Sequence, residues 1–199
     1  DKVFKLTSNM KLDLNSFKNR LSTYRIWLIM EKLFNLDGKL SIVTGAASGL
    51  GKAIATGLAE CGSDVIIVDR NEKGLLKTEE GLKTFGNEVI NFKTDLSSIE
   101  DIDKLFKKID LLKRDIDFLA NVAGDGILSK PENISIDELK AVLNNLVICR
   151  FYMCQHSGKR MLKRGKGSIL NIGSLASTTA LGRGHIAYSI AMGGVSQMT

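Results

Sequence analysis

From Leu40 onward, short apolar runs rich in Ile and Val alternate with longer stretches whose apolar residues recur at helical spacing, the pattern of stacked βαβ units. The runs Leu40–Thr44, Asp64–Asp69, Glu88–Phe92, Phe118–Val122 and Ser168–Ile172 predict five strands. Each is short and apolar rather than alternating, as expected where helices cover both faces of a parallel sheet. The stretches Leu50–Glu60, Glu72–Phe85, Ile99–Ile109 and Ile136–Leu162 predict helices. Cys61-Gly62 supplies a helix stop and a left-handed position before the second strand, and Gly86 does the same before the third. The single proline, Pro131, falls in Asp125–Asn133, which reads as a surface loop ahead of the long helix. The fold class is therefore α/β, a doubly wound parallel sheet in three α/β/α layers, over residues 38–199.

Residues 1–37 differ in pattern. Phe17, Leu21, Tyr24 and Leu28 recur at spacings of 4, 3 and 4, so Asn15–Phe34 predicts an amphipathic helix with Arg20, Arg25 and Lys32 toward water. Such an extension can pack on its own domain, lie on a membrane surface or cover a partner. It predicts no membrane span, because Ile26–Met30 is only five apolar residues and a spanning helix needs about 20.

Composition narrows the class further. With 44% hydrophobic and 25% charged residues the chain is an ordinary globular one. The net charge of +6 is concentrated at the start: outside residues 1–37 there are 21 bases against 18 acids, a balance of +3. That is too mild to argue for nucleic acid. Cys61, Cys149 and Cys154 form an odd set without C-x-x-C spacing, which points to reduced thiols and a cytoplasmic location. No metal site is assigned.

The first strand runs straight into Thr44-Gly45-Ala46-Ala47-Ser48-Gly49-Leu50-Gly51 and then a helix, with glycines at spacings of 4 and 2. A strand-to-helix turn gathers free backbone N–H groups and the positive end of a helix dipole where a pyrophosphate can sit. Glycine is required because a Cβ would obstruct the turn, the approach of the diphosphate and the packing of helix on strand. Asp69 ends the second strand, 18 residues after Gly51, where a carboxylate accepts from both hydroxyls of an adenosine ribose. It would also repel a 2′-phosphate, which favours NAD; Arg70 beside it leaves NADP open.

These residues resemble the short-chain dehydrogenases/reductases, and further motifs follow in family order. Thr44-Gly45-x-x-x-Gly49-x-Gly51 has the glycine spacing of that family. Asp95, in Thr94-Asp95-Leu96, matches the acidic residue that caps the adenine ring. Asn121-Val122-Ala123-Gly124 is similar to the family's N-N-A-G, with Val122 for the second Asn. Asn171-Ile172-Gly173-Ser174 and Ala187-Tyr188-Ser189 complete the set. The resemblance covers about Leu36–Thr199 and implies a Rossmann-like domain binding NAD(P) through Thr44, Gly45, Ser48, Gly49, Leu50, Gly51, Asp69, Arg70, Asp95, Leu96, Asn121, Ala123 and Gly124. It implies hydride transfer to or from an alcohol or ketone, and a homodimer or homotetramer. The segment Asn171–Tyr188 looks most like polyol and sugar-acid dehydrogenases. Family members continue about fifty residues further, through a strand and a substrate lid, so the resemblance implies a domain incomplete at its C-terminus.

Removing hydride from a carbinol carbon requires an acid/base group on its oxygen. By resemblance this is Tyr188, with Ser174 hydrogen-bonding the same oxygen. A free phenol has a pKa near 10, so the family places a lysine four residues on, sharing a helix face with the tyrosine. Here that position is Met192, which carries no charge and donates no hydrogen bond. Arg183 and His185 precede Tyr188 in what reads as a loop, with no pattern bringing them to the phenol. The family's asparagine on the long helix, 28 residues before the serine, falls by count on Leu146. Asn145 and Asn144 adjoin it, but a shift of one residue turns a side chain by about 100°, so a neighbour such as Asn145 serves only with a bulge in the helix or a realignment. The alternatives to an active oxidoreductase are an impaired relative that binds dinucleotide without turnover, and an interaction subunit.

Overall fold

The computed structural model describes residues 33–182 and 184–199. The chain divides into two units, residues 1–35 and 36–199. Of the predicted helix Asn15–Phe34, only Leu33 and Phe34 are described, and both are helical; the rest lies outside the described residues, as does Arg183.

In the larger unit β1 (Leu40–Thr44), β2 (Asp64–Asp69), β3 (Val89–Lys93), β4 (Phe118–Asn121) and β5 (Ser168–Asn171) form one sheet in the order β3-β2-β1-β4-β5. Every pairing is parallel, with Leu40 opposite Asp64, and Ser41 opposite Phe118. The helices are α1 (Gly49–Glu60), α2 (Glu72–Leu82), α3 (Ile99–Leu111), α4 (Ile136–Leu143), α5 (Cys149–Arg164) and α6 (Ile186–Met198). A 3₁₀ turn, Lys83–Phe85, ends the second predicted helix, and Gly86 follows at φ 87°. Gly62 takes φ 97° before β2, the left-handed position its sequence suggests.

The central strands β1 and β2 bury both faces, whereas Ser168 and Leu170 of the edge strand β5 stay exposed. Val43, Val65 and Ile67 pack with Ala55 and Ala59 of α1 and Leu75 and Leu82 of α2. Ile42, Ile66 and Val68 pack on the other face with Ile102 and Phe106 of α3 and Met153 of α5. Successive strand residues thus enter different layers, which is why none of the runs alternates with polar residues. A third apolar cluster joins α4 to α6 through Val142, Leu146, Ala187, Ala191, Met192 and Val195. None of the helices among the described residues is long and apolar enough to cross a membrane.

The long predicted helix Ile136–Leu162 is interrupted. Between α4 and α5 the five residues Asn144–Ile148 form a π turn, whose i→i+5 bonding accommodates one extra residue and rotates the helix phase. Ser135 opens α4 with a reciprocal capping box to Glu138.

Because β1 is flanked by β2 on one side and β4 on the other, the strand order reverses beside it. Such a switch point opens a crevice at the carboxyl ends of the strands.

Candidate active site at the carboxyl edge of the sheet

The turn after β1 is held against the end of β4. Thr44 is buried, and its Oγ1 accepts from the backbone N–H groups of Val122 at 2.9 Å and Ala123 at 3.1 Å while donating to the Ala120 carbonyl at 3.3 Å. Gly45 takes φ 69°, and a Cβ there would stand 2.9 Å from the Ala123 nitrogen. A Cβ on Gly51 would overlap the Gly45 carbonyl oxygen. The two glycines therefore let strand, turn and helix close up on one another.

The N-terminus of α1 is left open, unlike those of α2, α3 and α4. Asn71, Ser98 and Ser135 cap α2, α3 and α4 through their side chains, and each of those helices carries an acid in its first turn. Ser48, at the corresponding position of α1, makes no such bond, and the first turn has no acid. Free N–H groups and an uncompensated dipole end suit an anion.

Above this turn lies a cavity of about 690 Å³. Gly45, Ser48, Gly49, Leu50 and Gly51 line it from the glycine turn, Asp69 and Arg70 from the end of β2, and Asp95 and Leu96 from the loop after β3. Ala123 and Gly124 line it from the loop after β4, Asn145 from the π turn and Tyr188 from α6. Asp69 is oriented by two backbone donors, Ala47 at 3.2 Å and Asn71 at 2.9 Å. Hydrogen bonds from the Ser97 backbone and hydroxyl hold the Asp95 carboxyl below its ordinary range, with the Arg70 charge assisting.

Three of the residues picked out by motif stand outside the cavity wall. Thr44 works beneath it, as described. Asn121 is buried and donates to the Asn171 side-chain oxygen at 3.0 Å and the Cys154 sulfur at 3.1 Å, tying β4 to β5 and α5. Ser174 caps a 3₁₀ turn, Leu175–Ser177, its Oγ accepting from the Ala176 N–H at 3.2 Å.

The π turn separates the three helix candidates. Leu146, where the count falls, is 1% exposed in the apolar cluster. Asn144 donates to the Ser97 carbonyl at 2.8 Å. Asn145 faces the cavity and donates through Nδ2 to the Asp125 carbonyl at 3.1 Å and carboxylate at 3.2 Å. The bulge that Asn145 needs is thus present.

Tyr188 sits at the start of α6 with Gly126 against its ring, where a Cβ would stand 2.9 Å from Cδ2. His185 lies edge-on to it with ring centroids 6.3 Å apart, which corrects the expectation that nothing brings this histidine near the phenol: the N-terminal turn of α6 does so. Met192 is 2% exposed, packed among Val142, Leu146 and Val195.

Two residues escape the motifs. Arg150, inside α5, is 5% exposed and donates to the carbonyls of Ile172 at 2.6 Å and Ala123 at 3.0 Å, joining the carboxyl ends of β5 and β4 under the cavity. Burial pushes its guanidinium pKa down, and the nearby Cys154 and Tyr188 oppose that shift. The signal was an arginine at a core-facing helix position. Asp125 forms an ion pair with Arg70 at 3.2 Å from the facing loop, which no local pattern announces.

Comparison with known proteins agrees with this geometry. The family model "short chain dehydrogenase" matches residues 39–199. D-threitol dehydrogenase of Mycolicibacterium smegmatis is 36% identical over 162 residues, covering 81% of this chain and 62% of that protein. Gluconate 5-dehydrogenase of Gluconobacter oxydans is 32% identical over 170 residues, 84% of this chain and 65% of the relative. The structure of NAD+-bound xylitol dehydrogenase superposes with a TM-score of 0.77 at 28% identity, over 82% of this chain and 63% of the other. The chain thus spans less than two thirds of the length of these relatives. With glycine turn, acidic strand end and tyrosine assembled around one crevice, the chain belongs to the short-chain dehydrogenase family.

Proposed function

We propose that this chain binds NAD(H) in the crevice and transfers hydride between the nicotinamide and an alcohol or ketone, of the polyol or sugar-acid class. The observation that carries the reading is the shared cavity: an uncapped helix end, Asp69, Asn145 and Tyr188 line one space. The glycine-turn amides would hold the diphosphate, and the carboxylate of Asp69 the ribose hydroxyls, which favours NAD over NADP. The nicotinamide, when bound, supplies the hydride donor or acceptor. Tyr188 moves the proton on the substrate oxygen, and Asn145 helps order the groups around it. Ser174 accepts a hydrogen bond but keeps its own hydroxyl proton to donate. The substrate class rests on the printed functions of the threitol and gluconate relatives.

The three free cysteines support a reducing, cytoplasmic location. Leu111, Phe151 and Leu162, each half or more exposed on α3 and α5, support a homodimer or homotetramer.

A second reading, dinucleotide binding without turnover, is favoured by one observation: Met192 gives the tyrosine's helix face an apolar neighbour where the family has a lysine. Titration of NADH, followed by nicotinamide fluorescence, tests both readings: saturable binding that weakens in Asp69→Ala is expected, and its absence sinks them. Oxidation of threitol, xylitol or gluconate with NAD then decides between them.

A further inference from the structure

We propose that Asp125 is a specificity-determining residue for the cofactor, acting by engaging Arg70 and so withholding its guanidinium from a 2′-phosphate; this rests on the dinucleotide reading above. Arg70 follows Asp69 directly and is the one cation in the cavity wall among the described residues. Within that wall it is the cation able to answer a phosphate on the ribose that Asp69 would hold. Its Nη2 instead donates to the Asp125 carboxylate at 3.2 Å, from β2's end to the loop after β4, 55 residues away in sequence. Asp125 is held from the other side by Asn145, at 3.1 Å to its carbonyl and 3.2 Å to its carboxylate. The chain Arg70–Asp125–Asn145 therefore runs across the cavity from the ribose end to the tyrosine end.

Three carboxylates, Asp69, Asp95 and Asp125, face Arg70 alone in that wall. With the guanidinium engaged, that wall presents net negative charge toward a phosphate, while Lys93, Lys104 and Lys108 line a separate cavity beside it. The pair is breakable, since both side chains are 72% exposed, and exposed pairs are weak. Asp125 thus tunes the preference by a modest factor and does not impose it.

The test is a binding titration with NADH and NADPH on the full chain, comparing the parent, Asp125→Asn, Arg70→Gln and the double variant. The Asn variant keeps an amide oxygen for Asn145 and loses only the charge. The ratio of NADPH to NADH affinity is expected to rise about two- to fivefold in Asp125→Asn, and to rise distinctly less when the same change is made in Arg70→Gln. An unchanged ratio overturns the proposal, as does NADPH binding that stays undetectable in Asp125→Asn. An equal rise in both backgrounds overturns it too, by showing that the carboxylate acts without Arg70. If the parent binds neither nucleotide, the dinucleotide reading fails and takes this inference with it; binding with an unmoved ratio leaves that reading intact.

Discussion

Gly51 lies so close to Gly45 that a Cβ on the former would overlap the carbonyl oxygen of the latter. The obstruction is backbone, which cannot swing aside as a side chain can. Gly51→Ala is therefore expected to lower stability by about 2–3 kcal/mol and to abolish NADH binding. Chemical denaturation and fluorescence titration check the two parts separately; retained binding in a destabilised protein would dissociate the turn from the nucleotide.

Thr44→Val keeps the shape of a buried side chain but removes the acceptor for the Val122 and Ala123 N–H groups. Leaving buried donors unpaired costs about 1–3 kcal/mol. Urea denaturation should show a loss in that range with an unchanged slope. NADH affinity should also fall, because this hydroxyl sets the distance between the loops after β1 and β4.

Asn145 and Asn144 adjoin in sequence yet face different surroundings. Asn145→Ala is expected to reduce turnover on the order of 10- to 100-fold, whereas Asn144→Ala leaves it near that of the parent. Steady-state kinetics with NAD and the polyol panel decide; the reverse ranking would move the proton-ordering role off the π turn.

Met192→Lys puts an ammonium into the cluster of Val142, Leu146 and Val195. We expect a stability loss of about 2–3 kcal/mol, from burying an unpaired charge. At pH 7 we expect a gain in turnover of about tenfold or more from restored positive charge beside Tyr188. Equal turnover in parent and variant would remove Met192 as a brake on the chemistry.

The Ser97 hydrogen bonds lower the Asp95 pKa in the folded protein. A depressed carboxylate stabilises the fold fully above its unfolded value, about 4, and that contribution disappears as pH falls through the folded value. Ser97→Ala, which removes the side-chain bond, should therefore lower Tm at pH 6 and show a smaller further decline between pH 4 and 2.5. Parallel curves for both proteins would detach Asp95 from the acid limb.

The fold was legible because its determinants are local. Apolar runs such as Ile66–Val68 can be satisfied only by a sheet covered on both faces, and the glycine spacing after β1 answers a steric need within eight residues. Ends were read to within a residue or two: β3 begins at Val89 rather than Glu88, and α3 runs on to Leu111 rather than stopping at Ile109. Hydrophobic period marks where an element lies better than where its last hydrogen bond closes.

The amino-acid order by itself determined the strand and helix succession, the open turn at Gly45–Gly51, and the residues Asp69 and Tyr188, each marked by its immediate neighbours. Tertiary structure alone decided which asparagine reaches the cavity, that Ser174 and Asn121 bond outside its wall, that Arg150 clasps two strand ends beneath it, and that Arg70 meets Asp125. A linear count assumes constant helical phase, and the π turn at Asn144–Ile148 breaks that phase by one residue. Pairings across 22 to 55 residues, such as Arg150 with Ile172 or Arg70 with Asp125, arise only when packing brings loops from separate strands to the same edge.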